Sequence, residues 1–118
     1  MKKKEQISEN YLERIPARNN YIEWTVDEKG NVTLNIPNTG IFNKIAQKLL
    51  KKPPITYIHL DDNGSFVWQL MDNQRDIIAL GDDVKAKFGD NAEPLYPRLA
   101  KFFQILDSYG FIEWKKER

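Results

Sequence analysis

The chain has 118 residues, 41% of them hydrophobic and 12% aromatic, with no cysteine and a formal net charge of +1. That is enough apolar material for one buried core, which excludes a chain disordered throughout. Without thiols there is no disulfide framework, thiolate metal site or cysteine nucleophile. The charge divides unevenly at Pro54. Residues 1–54 hold ten Lys or Arg against six acids, net +4, and residues 55–118 hold eight against eleven, net −3.

Lys2-Lys3-Lys4 leads into polar residues rather than an apolar stretch, unlike a secretory signal. No apolar run approaches the ~20 residues of a membrane span. A soluble, cytoplasmic protein of one domain, residues 1–118, is expected. Residues 1–20 are expected to be an irregular lead-in, with Tyr11 to Arg18 closed by Pro16. Tyr21 to Val26 and Val32 to Ile36 alternate in the β manner around a Gly-containing turn, Asp27 to Asn31, and predict a hairpin that Pro37 ends. Ile41, Phe42, Ile45, Ala46, Leu49 and Leu50 then fall at helical spacing, opposite Lys44, Lys48, Lys51 and Lys52. Pro53-Pro54 stops this basic amphipathic helix.

From Ile55 to Leu60 the β-branched and aromatic content returns. A third strand is predicted, with Thr56, Ile58 and Leu60 on one face and Ile55, Tyr57 and His59 on the other. A helix starts near Asp61 or Asp62, where a carboxylate caps free amides. The next runs from about Asp76 to Phe88 and stops at Gly89. Gly81 inside it costs up to ~1 kcal/mol relative to Ala, which marks a close approach by a neighbouring helix. The last helix spans roughly Glu93 or Pro94 to Tyr109. Leu95, Leu99, Phe102, Phe103 and Leu106 form its core stripe, flanked by Ile105 and Tyr109 on one side and by Tyr96 and Ala100 on the other. This apolar arc, roughly 220° wide, exceeds the ~100° of an ordinary surface helix and needs cover on more than one side. Cover can come from the lead-in or the hairpin; alternatively, one flank borders an open groove beside the third strand. A short strand, Ile112 to Lys115, follows.

The order implies an α+β fold like a winged helix-turn-helix. A three-stranded antiparallel sheet would pack on a three-helix bundle, with an extra helix between strands 2 and 3. The run Ile58 to Ile77, IHLDDNGSFVWQLMDNQRDI, carries a family resemblance. Leu60, Asp61, Gly64, Phe66, Trp68, Leu70 and Asp72, with the later Gly110-Phe111-Ile112, follow the pattern of the PqqD-like proteins (pyrroloquinoline quinone biosynthesis protein D), also called RiPP precursor peptide recognition elements. The resemblance covers about half of the chain and rests on the order of the whole set.

It implies a non-catalytic adaptor. A precursor's leader peptide adds as a strand to the sheet edge and lays side chains against the last helix, for presentation to a radical S-adenosylmethionine or other peptide-modifying enzyme. Carried over by position, the edge is Ile55, Tyr57, Ile58, His59 and Leu60, and the helix face is Arg98, Phe102, Ile105 and Tyr109. Arg98 and Lys101, on the exposed side, either meet acidic leader residues or simply form a solvated face. The helix between strands 2 and 3 is longer than the connection of a minimal member, and lying over the third strand it would occlude that edge.

Two other functions find less in the residues. A winged-helix DNA-binding regulator needs a basic face to neutralise phosphates, and the matching half of this chain is acidic. His59-Leu60-Asp61-Asp62 offers an imidazole and carboxylates, but no further ligand stands at a recognisable spacing, so a strand-end His beside a helix cap is the simpler reading. With no phosphate loop, dinucleotide fingerprint or nucleophile elbow, neither a cofactor nor catalysis is expected.

Overall fold

The computed structural model describes residues 9–37 and 55–115. The helix expected over Ile41 to Leu50 lies outside them. In chain order the elements are α1 (Glu9–Leu12), β1 (Ile15–Arg18), β2 (Glu23–Val26), β3 (Val32–Pro37), β4 (Ile55–His59), α2 (Asp62–Leu70), α3 (Ile77–Phe88), a 3-10 turn (Gly89–Ala92), α4 (Leu95–Ser108) and β5 (Ile112–Lys115). They fall into two compact units, residues 20–65 and residues 1–19 with 66–118. The class is α+β, with antiparallel sheets of three and of two strands.

The described residues of the 20–65 unit carry the three-stranded sheet, in the order β2-β3-β4. The predicted hairpin is its first half, with Glu23 opposite Asn35 and Val26 opposite Val32. Its turn is closed by the Asp27 N–H donating to Asn31 O and the Gly30 N–H donating to Asp27 O, both at 3.0 Å. Gly30 sits at φ +87, where a side chain is disfavoured. The Asp27 carboxylate accepts from the N–H groups of Lys29 and Asn31, at 2.8 and 2.9 Å. The Asn31 bond foremost holds its pKa below the usual value. β4 then pairs with β3, Leu34 opposite Ile58 and Ile36 opposite Thr56.

The unit ends in the first turn of α2. Asp61 Oδ1 accepts the Gly64 N–H at 2.7 Å, the capping that the sequence predicts there. Ser65, 2% exposed, takes the Val32 N–H on its hydroxyl at 2.8 Å and donates to Leu60 O at 3.2 Å.

The other unit corrects the lead-in. Instead of an irregular segment there is a helical turn, α1, and then β1, which pairs antiparallel with β5 from Ile15 opposite Lys115 to Arg18 opposite Ile112. Pro16 is compatible with that strand because of its phase. The Asn19 N–H donates to Phe111 O, so alternation makes Pro16–Trp114 a pair that exchanges no main-chain hydrogen bond. The short strand expected at Ile112 to Lys115 is thus β5, and its partner is β1.

Val67 and Trp68 from α2, Met71 just after it, Ile77, Leu80 and Val84 from α3, and Leu95, Leu99, Ala100, Phe103 and Leu106 from α4 are buried in this unit, with Ala17, Ala92, Phe111 and Ile112. Asp76 caps α3 by accepting the Ala79 N–H at 2.9 Å, and Gly89 ends it at φ 60. A Cβ on Gly81 would stand 2.9 Å from the Tyr96 ring and 3.2 Å from Leu99 Cδ1, the close approach expected of α4. α2 is closed at its other end by Arg18, which donates to the carbonyls of Trp68 and Met71 at 2.7 and 3.0 Å. These C-terminal carbonyls are where a cation is favoured. In the loop that follows, Arg75 bridges Asp72 and Asp83 at 3.0 and 2.9 Å.

Candidate functional site

The residues singled out in the sequence divide between the units: Ile55, Tyr57, Ile58, His59 and Leu60 belong to the first, and Arg98, Phe102, Ile105 and Tyr109 to the second.

β4 takes the faces its alternation predicts. Ile55 and Tyr57 are exposed at 45% and 58%, and His59 is exposed with them. Ile58 and Leu60 are half-buried on the opposite face, in line with the fully buried Leu34 and Val32. Main-chain geometry fixes which polar groups face outward. The Leu60 N–H donates to Val32 O at 2.9 Å, so the hydrogen-bonded partners on β3 and β4 are Val32–Leu60, Leu34–Ile58 and Ile36–Thr56. The N–H and C=O groups of Ile55, Tyr57 and His59 therefore turn away from β3, and among the described residues no strand pairs with that side. An edge of this kind accepts an added strand.

At the α2 end of β4, the His59 imidazole Nδ1 lies 2.9 Å from the Thr33 hydroxyl. Both border an open depression of about 600 Å³ that also meets Asp27, Asn31, Asp61 and Asp62. The His59-Asp61-Asp62 constellation falls here. Asp61 is committed to capping α2, and among the described residues no group of three His, Asp or Glu side chains is placed to hold a metal.

On α4 the core stripe is as predicted for Leu95, Leu99, Phe103 and Leu106, whereas Phe102 is half-buried and meets Phe103 edge to face at 5.4 Å. Ile105 and Tyr109 are exposed at 45% and 68%, Tyr109 stacking on Phe111 with ring centroids 5.3 Å apart. Phe102, Ile105 and Tyr109 follow one another at three- and four-residue steps and give an apolar strip reaching solvent. Arg98 is exposed, but its guanidinium donates to the main-chain oxygens of Asn91 at 2.8 Å and Glu93 at 3.4 Å. It secures the turn before α4, a task the sequence does not reveal.

Sequence reasoning missed Ser65 and Thr33. A serine in the first turn of a helix reads as an ordinary capping-region residue, and only the strand register shows what its hydroxyl joins. Among the described residues no helix is long and apolar enough to cross a membrane.

No curated protein and no solved structure matches the chain. A family model does: coenzyme PQQ synthesis protein D, over residues 43–112. The match takes in β4, all of α2, α3 and α4, and the first residue of β5. That family comprises non-catalytic recognition proteins that bind precursor peptides as partners of biosynthetic enzymes. With more than half of its length matched, and with the Leu60-Asp61 turn and the Trp68 helix inside the match, this chain belongs to the PqqD family.

Proposed function

We propose that this chain is a peptide-binding adaptor that takes a precursor's leader peptide as an added strand on the outer edge of β4 and presents it to a separate peptide-modifying enzyme. The observation that carries the reading is the outward main-chain phase of Ile55, Tyr57 and His59, on a strand whose only partner among the described residues is β3. Added strands gain affinity from such main-chain groups and selectivity from alternate side chains. The family resemblance that assigns the β4 edge also assigns Phe102, Ile105 and Tyr109 to peptide contact. Family resemblance points to a radical S-adenosylmethionine or similar peptide-modifying enzyme as the recipient. The adaptor itself performs no bond-making step.

The test is a titration of the isotope-labelled chain with synthetic candidate leader peptides, followed by amide shifts. Shifts concentrated on Ile55 to Leu60, with a second group from Arg98 to Tyr109, are expected. Shifts confined to Ile112 to Lys115 would move the site elsewhere and end this reading.

A further inference from the structure

Starting from strand addition at β4, we infer that this edge selects peptides by a two-residue alternation. Apolar side chains go beside Thr56 and Ile58, and polar, non-acidic ones beside Tyr57 and His59. The inference rests on the adaptor reading and adds to it the chemistry of the peptide.

In a pleated sheet, laterally neighbouring residues share a face whichever way the added strand runs. The two faces of this sheet differ sharply. One carries the row Trp24, Leu34, Ile58 and the row Val26, Val32, Leu60. Leu34 and Val32 are fully buried, but Ile58 and Leu60 at the edge are only half-buried, so apolar surface continues to the margin and stays within reach of a neighbour. Peptide residues landing on this side bury apolar area if they are apolar and lose hydration without return if they are polar.

The other face carries the row Glu23, Asn35, Tyr57 and the row Thr25, Thr33, His59. In these two rows the groups are polar apart from the Tyr57 ring, the exposed Ile55 lying beyond them opposite Pro37, and the Thr33 hydroxyl already engages His59. Next to His59 the depression bordered by Asp27, Asp61 and Asp62 makes this end electronegative, so a carboxylate on the incoming strand meets like charge. Among the described residues of β4, only Ile55, Tyr57 and His59 offer outward main-chain groups. The recognised stretch is therefore short, and its side-chain pattern decides the phase in which it docks.

Selection of a random seven-residue displayed library on the full chain tests this. Enriched sequences should place apolar residues two apart, with Thr, Asn, Lys or Arg between them and Asp and Glu depleted there. A synthetic consensus peptide should bind at least about tenfold more tightly than an isomer of the same composition with its apolar residues adjacent, and Ile58→Thr should erase that preference. Apolar residues enriched at consecutive or helical spacing, in peptides that still protect the Tyr57 and His59 amides from hydrogen exchange, would overturn the alternation and leave strand addition standing. Enriched peptides that protect no β4 amide would overturn strand addition itself, and a library yielding no enrichment would overturn both.

Discussion

Ser65 replaces one rung of a ladder. With Leu60 N–H bonded to Val32 O, the return bond of that pair would run from Val32 N–H to Leu60 O; the serine hydroxyl is inserted instead and serves both groups. Val32 is fully buried, so water is not at hand to take its amide proton. Ser65→Ala should therefore destabilise the chain by about 1–3 kcal/mol, the cost of a buried donor left unmet. Denaturant unfolding measures it, and Ser65→Thr, which keeps the hydroxyl, should recover most of that loss. A change below about 0.5 kcal/mol on Ser65→Ala would mean that the ladder closes without the side chain.

Tyr11 gives a second residue-scale expectation, this time in pH. Burial first, then the nearby Asp107 charge, pushes its phenol up to about 12, against a small opposing effect of Arg14. The folded state thus favours the protonated phenol more than the unfolded state does. The sign follows: this stability is fully present below the unfolded value of about 10 and drains as pH rises from there through about 12. Tyr11→Phe should flatten the alkaline limb of the stability profile over that range. An unchanged limb would assign the loss to other groups.

At the scale of elements, β4 is the most informative, because alternate amides of one five-residue strand have opposite fates. Thr56 and Ile58 belong to hydrogen-bonded pairs with β3, whereas Tyr57 and His59 face the open side. In the free chain, hydrogen exchange should be slow at the first two and fast at the second two. Addition of a leader peptide should slow Tyr57 and His59 and leave the others nearly unchanged. Equal protection of all four amides in the free chain would mean that another segment already pairs with the edge.

Elements whose signals are local could be read from sequence. The β2–β3 hairpin followed from period-two residues around Gly30, and α3 from Asp76 at its start and Gly89 at its end. The place where α4 crowds Gly81 was legible because a glycine inside a helix has a cost that packing must justify. β1 was not legible. Ile-Pro-Ala-Arg lacks β-branched alternation, and its partner β5 lies at the far end of the sequence, so only tertiary contact makes it a strand. The site was legible as far as faces go, with Tyr57 out and Ile58 in. The helix stripe, however, gave no means of separating the fully buried Phe103 from the half-buried Phe102 beside it.

For the whole molecule, charge decides between a reader of peptides and a reader of DNA. A DNA-binding domain gains most of its affinity by displacing counterions from several phosphates, and that requires clustered Lys and Arg. Here the net charge is +1, and the residues from Ile55 onward carry eight basic side chains against eleven acids. Several of those basic groups are already committed: Arg75 pairs with Asp72 and Asp83, Lys85 with Glu93, and Arg98 with main-chain carbonyls. Unlabelled chain added to a fluorescent DNA duplex at about 0.15 M salt should leave its anisotropy unchanged, whereas leader-peptide binding should vary little with salt because main-chain bonds and apolar contact supply it. A duplex affinity that falls steeply and linearly in log–log form as salt rises would instead count out several phosphate contacts. Because the 55–118 segment is net acidic, the ten basic residues that precede Ile55 would be the first place to look for those contacts.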